Sequence, residues 1–158
     1  MPGLAVSWEP VADDVWEFKL REGVTFHDGS DFTADDVVWN FKKVRDEKAP
    51  QYEPKQAALV AVRIPAIKDV EKIDDYTVAL ITKSPSAYVP YQVSFWFMSS
   101  QEQWEKTKSW AEFAKSPSGT GPWKFVSQTP RAKVEMVPNK SYWDAKRVPK
   151  VDRVILRP

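Results

Sequence analysis

The stretch that decides the fold runs from Val15 to Val44 and reads VWEFKLREGVTFHDGSDFTADDVVWNFKKV. Near its start, Trp16, Phe18 and Leu20 alternate with charged residues. Alternation with a period of two is typical of a strand that has one buried face and one face in water. The sequence therefore predicts a strand that ends before Gly23, where the alternation stops.

A turn and a helix follow this strand. Residues 27–30, His-Asp-Gly-Ser, favour a tight turn, because Gly tolerates a positive φ and Asp accepts a hydrogen bond from the amide two residues on. A helix is predicted to begin at Thr33, which would cap the amide of Asp36 at the positive end of the helix dipole. Three apolar residues at helical spacing are expected to form its buried face: Val37, Phe41 and Val44.

The rest of the chain is predicted to form short elements separated by Pro and Gly. Helices are expected over 55–62, 101–108 and 109–115, with a helical turn or loop over 88–93. Strands are expected over 70–73 and 76–82 as a hairpin, over 94–98 as a buried strand, and over 123–127, 133–137 and 151–156. A composition shift at residues 116–119, Ser-Pro-Ser-Gly, marks a domain boundary.

Composition excludes several classes of function. The chain has 158 residues, of which 42% are hydrophobic, as expected for a folded domain with a real core. The formal charge is +1 with both signs interspersed, so neither nucleic acid nor an anionic membrane is an expected partner. There is no cysteine, which excludes disulfides, zinc-thiolate sites and thiol nucleophiles. The N-terminus has neither the basic start nor the apolar core of an export signal, which we expect of a trimmed chain.

Four segments carry a resemblance to a known family, in family order: LAVSWEP at 4–10, the stretch 15–44, GTGPWKF at 119–125, and NKSYWD at 139–144 followed by PKVDRV at 149–154. Together they resemble the family 5 extracytoplasmic solute-binding proteins. These are the peptide, nickel and oligosaccharide receptors of bacterial ABC importers.

The resemblance implies an α/β (α+β) fold, with a mixed β-sheet and packed helices, that is part of lobe I of a periplasmic binding protein-like fold. Residues 1–117 would be the subdomain inserted into lobe I, and residues 118–158 the strands that return to its core. The resemblance implies that the complete protein is longer and has two lobes, so we expect this chain to be a fragment that lacks the second lobe.

The resemblance also implies partners and a compartment. The complete protein would bind a peptide-like or other small molecule and deliver it to the permease and ATPase subunits of an importer. It would be periplasmic or extracytoplasmic, and would meet the membrane only through the permease. The fragment itself is expected to act mainly as a scaffold, without enzymatic activity, cofactor or metal.

Two groups of residues are candidates for contact with a solute. Phe95, Trp96, Phe97 and Met98 form a run of large apolar residues, and one face of a strand there could line a cleft. Thr120, Gly121 and Trp123 lie where the resemblance brings the chain back to lobe I. The alternative for both groups is a purely structural role. The Gly-Thr-Gly run is not expected to hold a phosphate, because a strand rather than a helix follows it.

Other interpretations of the sequence rest on single residue types. The eight tryptophans leave open a stand-alone carbohydrate-binding module, although Trp16 and Trp39 are assigned to the core. His27 and Asp28 are adjacent, but the turn explains both, and no second histidine exists to complete a metal site. A hydrolase would need two convergent carboxylates, and the adjacent Asp pairs of this sequence are typical of caps and turns.

Overall fold

The computed structural model describes residues 3–158, which form two compact units. Residues 3–22 and 33–98 make up the first unit, and residues 23–32 and 99–158 make up the second. The α/β class is confirmed. The predicted division at residues 117 and 118 concerns subdomains of a lobe and stays a prediction.

The first unit is built on a four-stranded sheet in the order β1-β2-β4-β3. Its strands are β1 (Ala5–Ala12), β2 (Val15–Leu20), β3 (Ile67–Asp74) and β4 (Thr77–Thr82). All strand pairs in the described residues are antiparallel, rather than mixed as predicted. Three of these pairs are formed by consecutive strands joined by short turns, which allow only antiparallel pairing. The predicted strand before Gly23 and the predicted hairpin are confirmed as β2 and as β3 with β4.

The alternation in β2 produces the expected division between faces. Phe18 and Leu20 are buried, whereas Lys19 between them is exposed and donates a hydrogen bond of 2.9 Å from Nζ to Thr77 Oγ1 of β4. β1 is an edge strand, and Trp8 in it stacks on Phe18 with ring centroids 6.0 Å apart. The sequence analysis did not predict β1 as a strand.

The first unit also contains helices. They are α1 (Ala34–Arg45), α2 (Pro54–Ala61) and α3 (Val89–Val93). Thr33 is the N-cap of α1 as predicted, and Asp36 Oδ2 accepts its amide hydrogen at 3.0 Å. The predicted face of Val37, Phe41 and Val44 is buried, and α1 packs against β3 and α2.

The second unit contains a three-stranded sheet in the order β5-β6-β7 and short helices. Its elements are α4 (Gln101–Thr107), α5 (Trp110–Phe113), β5 (Trp123–Thr129), β6 (Lys133–Pro138), a 3-10 turn (Ala145–Arg147) and β7 (Val154–Leu156). The helices and strands predicted here exist, but α5 and β7 are shorter than expected. Ser109 caps α5 through a 3.2 Å hydrogen bond that its Oγ accepts from the Ala111 amide.

The predicted buried strand over 94–98 is wrong. These residues form a turn and a loop that follow α3. The amides of Ser94, Phe95 and Trp96 donate to carbonyls three residues back, at 3.2, 3.3 and 3.0 Å. Because these donors are used locally, they are not available to a neighbouring strand. A short apolar run does not distinguish a strand from a helix end by its pattern alone.

No helix within residues 3–158 is both long and apolar enough to cross a membrane.

Lys43 is a buried cation on α1. Lys43 is only 2% exposed, and its Nζ donates a hydrogen bond to Asn40 Oδ1 at 2.9 Å. The Asn40 amide in turn donates to the Asp36 carbonyl at 2.8 Å. Burial lowers the pKa of Lys43 from 10.5 to about 8, while the nearby charge of Glu53 acts in the opposite direction.

Substitution of Lys43 should change how stability depends on alkaline pH. Between pH 8 and 10.5 the unfolded chain binds a proton at Lys43 that the folded chain has lost, so stability rises with pH. We expect the unfolding free energy to rise by about 3 kcal/mol more than that of Lys43→Met across this range. Urea unfolding of both proteins at several pH values measures the difference, and parallel curves would contradict it.

Candidate functional site

The candidate site is built on the turn at residues 27–30 in the second unit. Gly29 has a φ of +96°, which a residue with a Cβ rarely adopts. Asp28 Oδ1 accepts the Ser30 amide hydrogen at 3.0 Å, so the side chain closes the turn as the sequence predicted. Ser30 Oγ donates to the same oxygen at 2.7 Å. The turn therefore holds the Asp28 carboxylate in one orientation.

The Asp28 carboxylate joins this turn to the start of α4. Its second oxygen accepts a 2.6 Å hydrogen bond from Ser100 Oγ. The Asp28 amide donates to Ser118 Oγ at 3.1 Å, and the Ser100 amide donates to the Ser118 carbonyl at 3.1 Å. Burial alone would raise the pKa of Asp28, but the hydroxyls of Ser100 and then Ser30 outweigh it, and the pKa lies below 3.8.

His27 joins the same turn to the Gly-Thr-Gly run. Its amide donates to the Gly119 carbonyl at 2.9 Å, and the Gly119 amide donates to its Nδ1 at 3.4 Å. Its Nε2 lies 2.9 Å from the Gly121 carbonyl oxygen. Lys124 Nζ donates to the His27 carbonyl at 3.2 Å. The segment 119–124 is thus attached to His27 at four points.

Asn139 holds the Gly-Thr-Gly run from the β6 side. It is 1% exposed, its Nδ2 donates to the Gly121 carbonyl at 3.2 Å, and its amide donates to the Pro122 carbonyl at 2.8 Å. Its Oδ1 accepts the Ser141 amide hydrogen at 3.2 Å. Asn139, the first residue of the Asn-Lys-Ser-Tyr-Trp-Asp motif, therefore holds residues 119–122 by hydrogen bonds. We call these four residues the clamped turn.

Thr120 and Gly121 lie in the clamped turn, and Trp123 directly follows it at the start of β5. All three are half-buried. As expected, a strand follows the Gly-Thr-Gly run, so no helix N-terminus faces it. Their contact with a solute stays a prediction. Sequence reasoning missed Ser100 and Ser118, which contact Asp28 from 72 and 90 positions away, and it identified Asn139 only as part of a family motif.

The other candidate group, residues 95–98, belongs to the first unit. Trp96 is buried and packs edge-to-face on Phe41, with ring centroids 6.1 Å apart. Phe97 is 74% exposed, Phe95 is 42% exposed and Met98 is half-buried. The run therefore splits into one core residue and exposed neighbours, and any contact with a solute would come from the latter.

The two tryptophans that were predicted to lie in the core differ in how deeply they are buried. Trp39 is buried on α1. Trp16 is only half-buried, and its Nε1 donates to the Ser86 carbonyl at 3.1 Å. A buried indole such as that of Trp39 stabilises the fold and cannot offer a flat face to a sugar ring.

The geometry assigns His27 and Asp28 to structure rather than to catalysis. Both ring nitrogens of His27 contact backbone groups, so neither is free to accept a proton from a substrate. Both oxygens of Asp28 accept hydrogen bonds from serines. Within residues 3–158 no group of three or more His, Cys, Asp or Glu is placed to hold a metal ion.

The family model described as "Bacterial extracellular solute-binding proteins, family 5 Middle" matches residues 1–158. Among curated proteins, Di/tripeptide-binding protein 2 of Pseudomonas aeruginosa is 30% identical over 172 residues, which cover 99% of this chain and 32% of that protein. The chain therefore spans about a third of the length of the curated relatives that it matches.

Solved structures show the same similarity. NikZ from Campylobacter jejuni, in complex with Ni(L-His), is 28% identical with a TM-score of 0.79, and the match covers 99% of this chain and 30% of that one. The periplasmic binding protein DppA from Helicobacter pylori, in complex with the peptide STSA, is 30% identical with a TM-score of 0.78. That match covers 99% of this chain and 33% of the other.

Replacement of Asp28 by Asn should destabilise the second unit. The amide nitrogen of Asn would meet donors from Ser30 or Ser100, and the charge-assisted hydrogen bonds would be lost. We expect a loss of about 2 kcal/mol in unfolding free energy, measured by urea unfolding at neutral pH. Asp31→Asn, three residues away, is the control. Equal stability of the two variants would contradict this role of Asp28.

Proposed function

Because the chain belongs to the bacterial extracellular solute-binding proteins of family 5, we propose that it forms part of a receptor that captures a peptide-like solute for an ABC importer. The observation that carries this proposal is the match of the family model to residues 1–158. The four motifs quoted from the sequence are spread over the same range, so the similarity does not depend on one short segment.

The names of the relatives support a peptide-like solute. Several are named as di/tripeptide-binding or dipeptide-binding proteins, and one structural relative was solved with a bound peptide. Other relatives are named for heme or were solved with Ni(L-His), so other small molecules stay within the proposal. The carbohydrate-binding module is not favoured, because no observation on the exposed tryptophans supports it against this set of relatives.

The proposed mechanism is capture between two lobes. A solute that binds better to the closed form shifts the population towards closure, and the closed form docks on the permease of the importer. The permease and ATPase subunits are the proposed partners, and the proposed compartment is periplasmic or extracytoplasmic. Members of the family are solute-binding proteins, and we propose that this chain likewise has no enzymatic activity.

Within such a receptor, we assign this chain mainly a scaffold role. The polar side chains of the candidate site make hydrogen bonds within the chain: the serines hold Asp28, and Asn139 and His27 hold the clamped turn. A rigid scaffold suits a receptor, because fixed side chains lose little entropy when a solute binds. The proposed solute contacts in the second unit are Thr120, Gly121 and Trp123. Those in the first unit are the run Phe95, Trp96, Phe97 and Met98, in which Trp96 would act by supporting its neighbours.

The 158-residue chain by itself should bind solutes only weakly. A few contacts from one part of a receptor do not exclude water from a ligand on all sides, so most of the binding energy is missing. Isothermal titration with dipeptides, tripeptides, an oligosaccharide and Ni²⁺ with histidine should give dissociation constants no tighter than millimolar. A micromolar constant for any of these probes would overturn the scaffold role.

Uptake by cells tests the proposed function itself. Deletion of the gene that encodes the chain in its source bacterium should lower the uptake of a labelled dipeptide or tripeptide, and the intact gene should restore it. Unchanged uptake of both peptides would contradict the peptide-like solute.

The exposed aromatic Phe97 offers a matched test of the first candidate group. Phe97→Ser should lower the restored uptake by about fivefold if the ring lies against the solute. Val62→Ser is the control, because Val62 is 77% exposed and lies outside the candidate groups. Neither variant should change the melting temperature, since neither side chain is buried. Equal uptake in the two variants would remove Phe97 from the site.

A further inference from the structure

His27 commits each of its polar groups to one short segment of the chain. Its backbone amide and carbonyl bond to Gly119 and Lys124, and its two ring nitrogens contact Gly119 and Gly121. A residue that merely fills space would not need this set of contacts. The ring therefore sets the distance between the amide of Gly119 and the carbonyl of Gly121, which are the two ends of the Gly-Thr-Gly run.

The two backbone groups fix the protonation state of the ring. The amide of Gly119 can only donate, so Nδ1 must be the unprotonated nitrogen that accepts its hydrogen. The carbonyl of Gly121 can only accept, so Nε2 must carry the hydrogen and donate it. Only the neutral ring with its hydrogen on Nε2 satisfies both contacts.

We propose that neutral His27 is the positioning residue of the clamped turn, and that protonation of its ring breaks the hydrogen bond from the Gly119 amide and makes this part of the receptor sensitive to pH. The proposal rests on the proposed function only where it links the clamped turn to solute binding. The geometry of His27 and Gly119 stands without that link.

Protonation would affect one end of the turn more than the other. A hydrogen on Nδ1 would face the hydrogen of the Gly119 amide, and two donors cannot bond to each other. Gly121 would stay attached, because Nε2 still donates to its carbonyl and Asn139 Nδ2 also donates to it. The Gly119 carbonyl would also keep its hydrogen bond from the His27 amide, so protonation would free only the Gly119 amide.

The charged groups near the ring act in opposite directions. Lys124 on β5 disfavours a second positive charge, whereas Asp28 in the turn favours it. Burial of the ring is the largest influence on the pKa of His27 and lowers it, the hydrogen bond with the Gly121 carbonyl opposes burial, and the net result is a pKa below 6.5. The unfolded chain therefore takes up the proton first, and stability falls as the pH drops from 6.5 towards the folded pKa.

Nuclear magnetic resonance of the 158-residue chain tests the proposal without any solute. His27 is the only histidine, so its ring signals need no assignment among several. We expect the Nε2-protonated form at neutral pH and a titration midpoint below 6.5. The Gly119 amide signal should shift with the same midpoint, and its protection from hydrogen exchange should fall by about tenfold across the titration. A protonated Nδ1 at neutral pH would overturn the proposal. So would a Gly119 amide signal whose position does not change as His27 titrates.

Two variants separate positioning from simple packing. In His27→Asn the side-chain oxygen can still accept the Gly119 hydrogen but does not titrate, so Gly119 should stay protected and its signal should stay constant between about pH 5 and 7.5. In His27→Leu the acceptor is lost, so Gly119 should lose about tenfold in protection at every pH. Amides of β6 serve as the control for folding in both. Equal protection of Gly119 in wild type and His27→Leu would overturn the proposal.

The link to solute binding is measured separately, by peptide uptake at mildly acidic pH. As the pH is lowered from 7 through the midpoint measured by magnetic resonance, wild-type uptake should fall relative to His27→Asn. If uptake falls equally in both while Gly119 follows His27 in the magnetic resonance titration, then the positioning role holds and its link to the proposed function fails. If no peptide is taken up at any pH, the proposed function fails and the titration still decides the role of His27.

Discussion

The second unit depends on the hydrogen bonds that hold the turn at residues 27–30 against the start of α4 and the clamped turn. Backbone groups in these loops have no partner strand or helix, and an unpaired buried polar group costs free energy. His27, Asp28 and Asn139 supply the missing partners with their side chains. These side chains thereby attach the irregular residues before β5 to the turn at residues 27–30 and to the end of β6.

Local patterns predicted the elements whose cause is local. β2, the Asp28 turn and the start of α1 follow from alternation, a positive φ at Gly29 and a capping residue, and each of these acts within a few positions. The strand predicted over 94–98 failed because the end of α3 takes up the amides there, and an apolar run carries no sign of that. The contacts of Ser100 and Ser118 with Asp28 could not be predicted, since each joins distant parts of the chain.

Aromatic residues show the same limit at the candidate site. Four consecutive large apolar side chains predicted a strand with one face available to a cleft, but the structure has a loop there that buries Trp96 against Phe41 and leaves Phe97 exposed. Burial depends on the direction in which the backbone leaves α3, which the composition does not encode. The functional conclusion therefore rests on the resemblance to a family, and the structure shows which side chains are exposed enough to contact a solute.

The division of the chain into units has a consequence for biosynthesis. The ribosome releases residues 23–32 early, yet their partners in the second unit begin at residue 99, and His27 and Gly119 are 92 positions apart. Translation at about 5–20 residues per second leaves this segment waiting for several seconds. Residues 23–32 therefore cannot make their final contacts until long after they are synthesised, although the segments on both sides of them belong to the first unit.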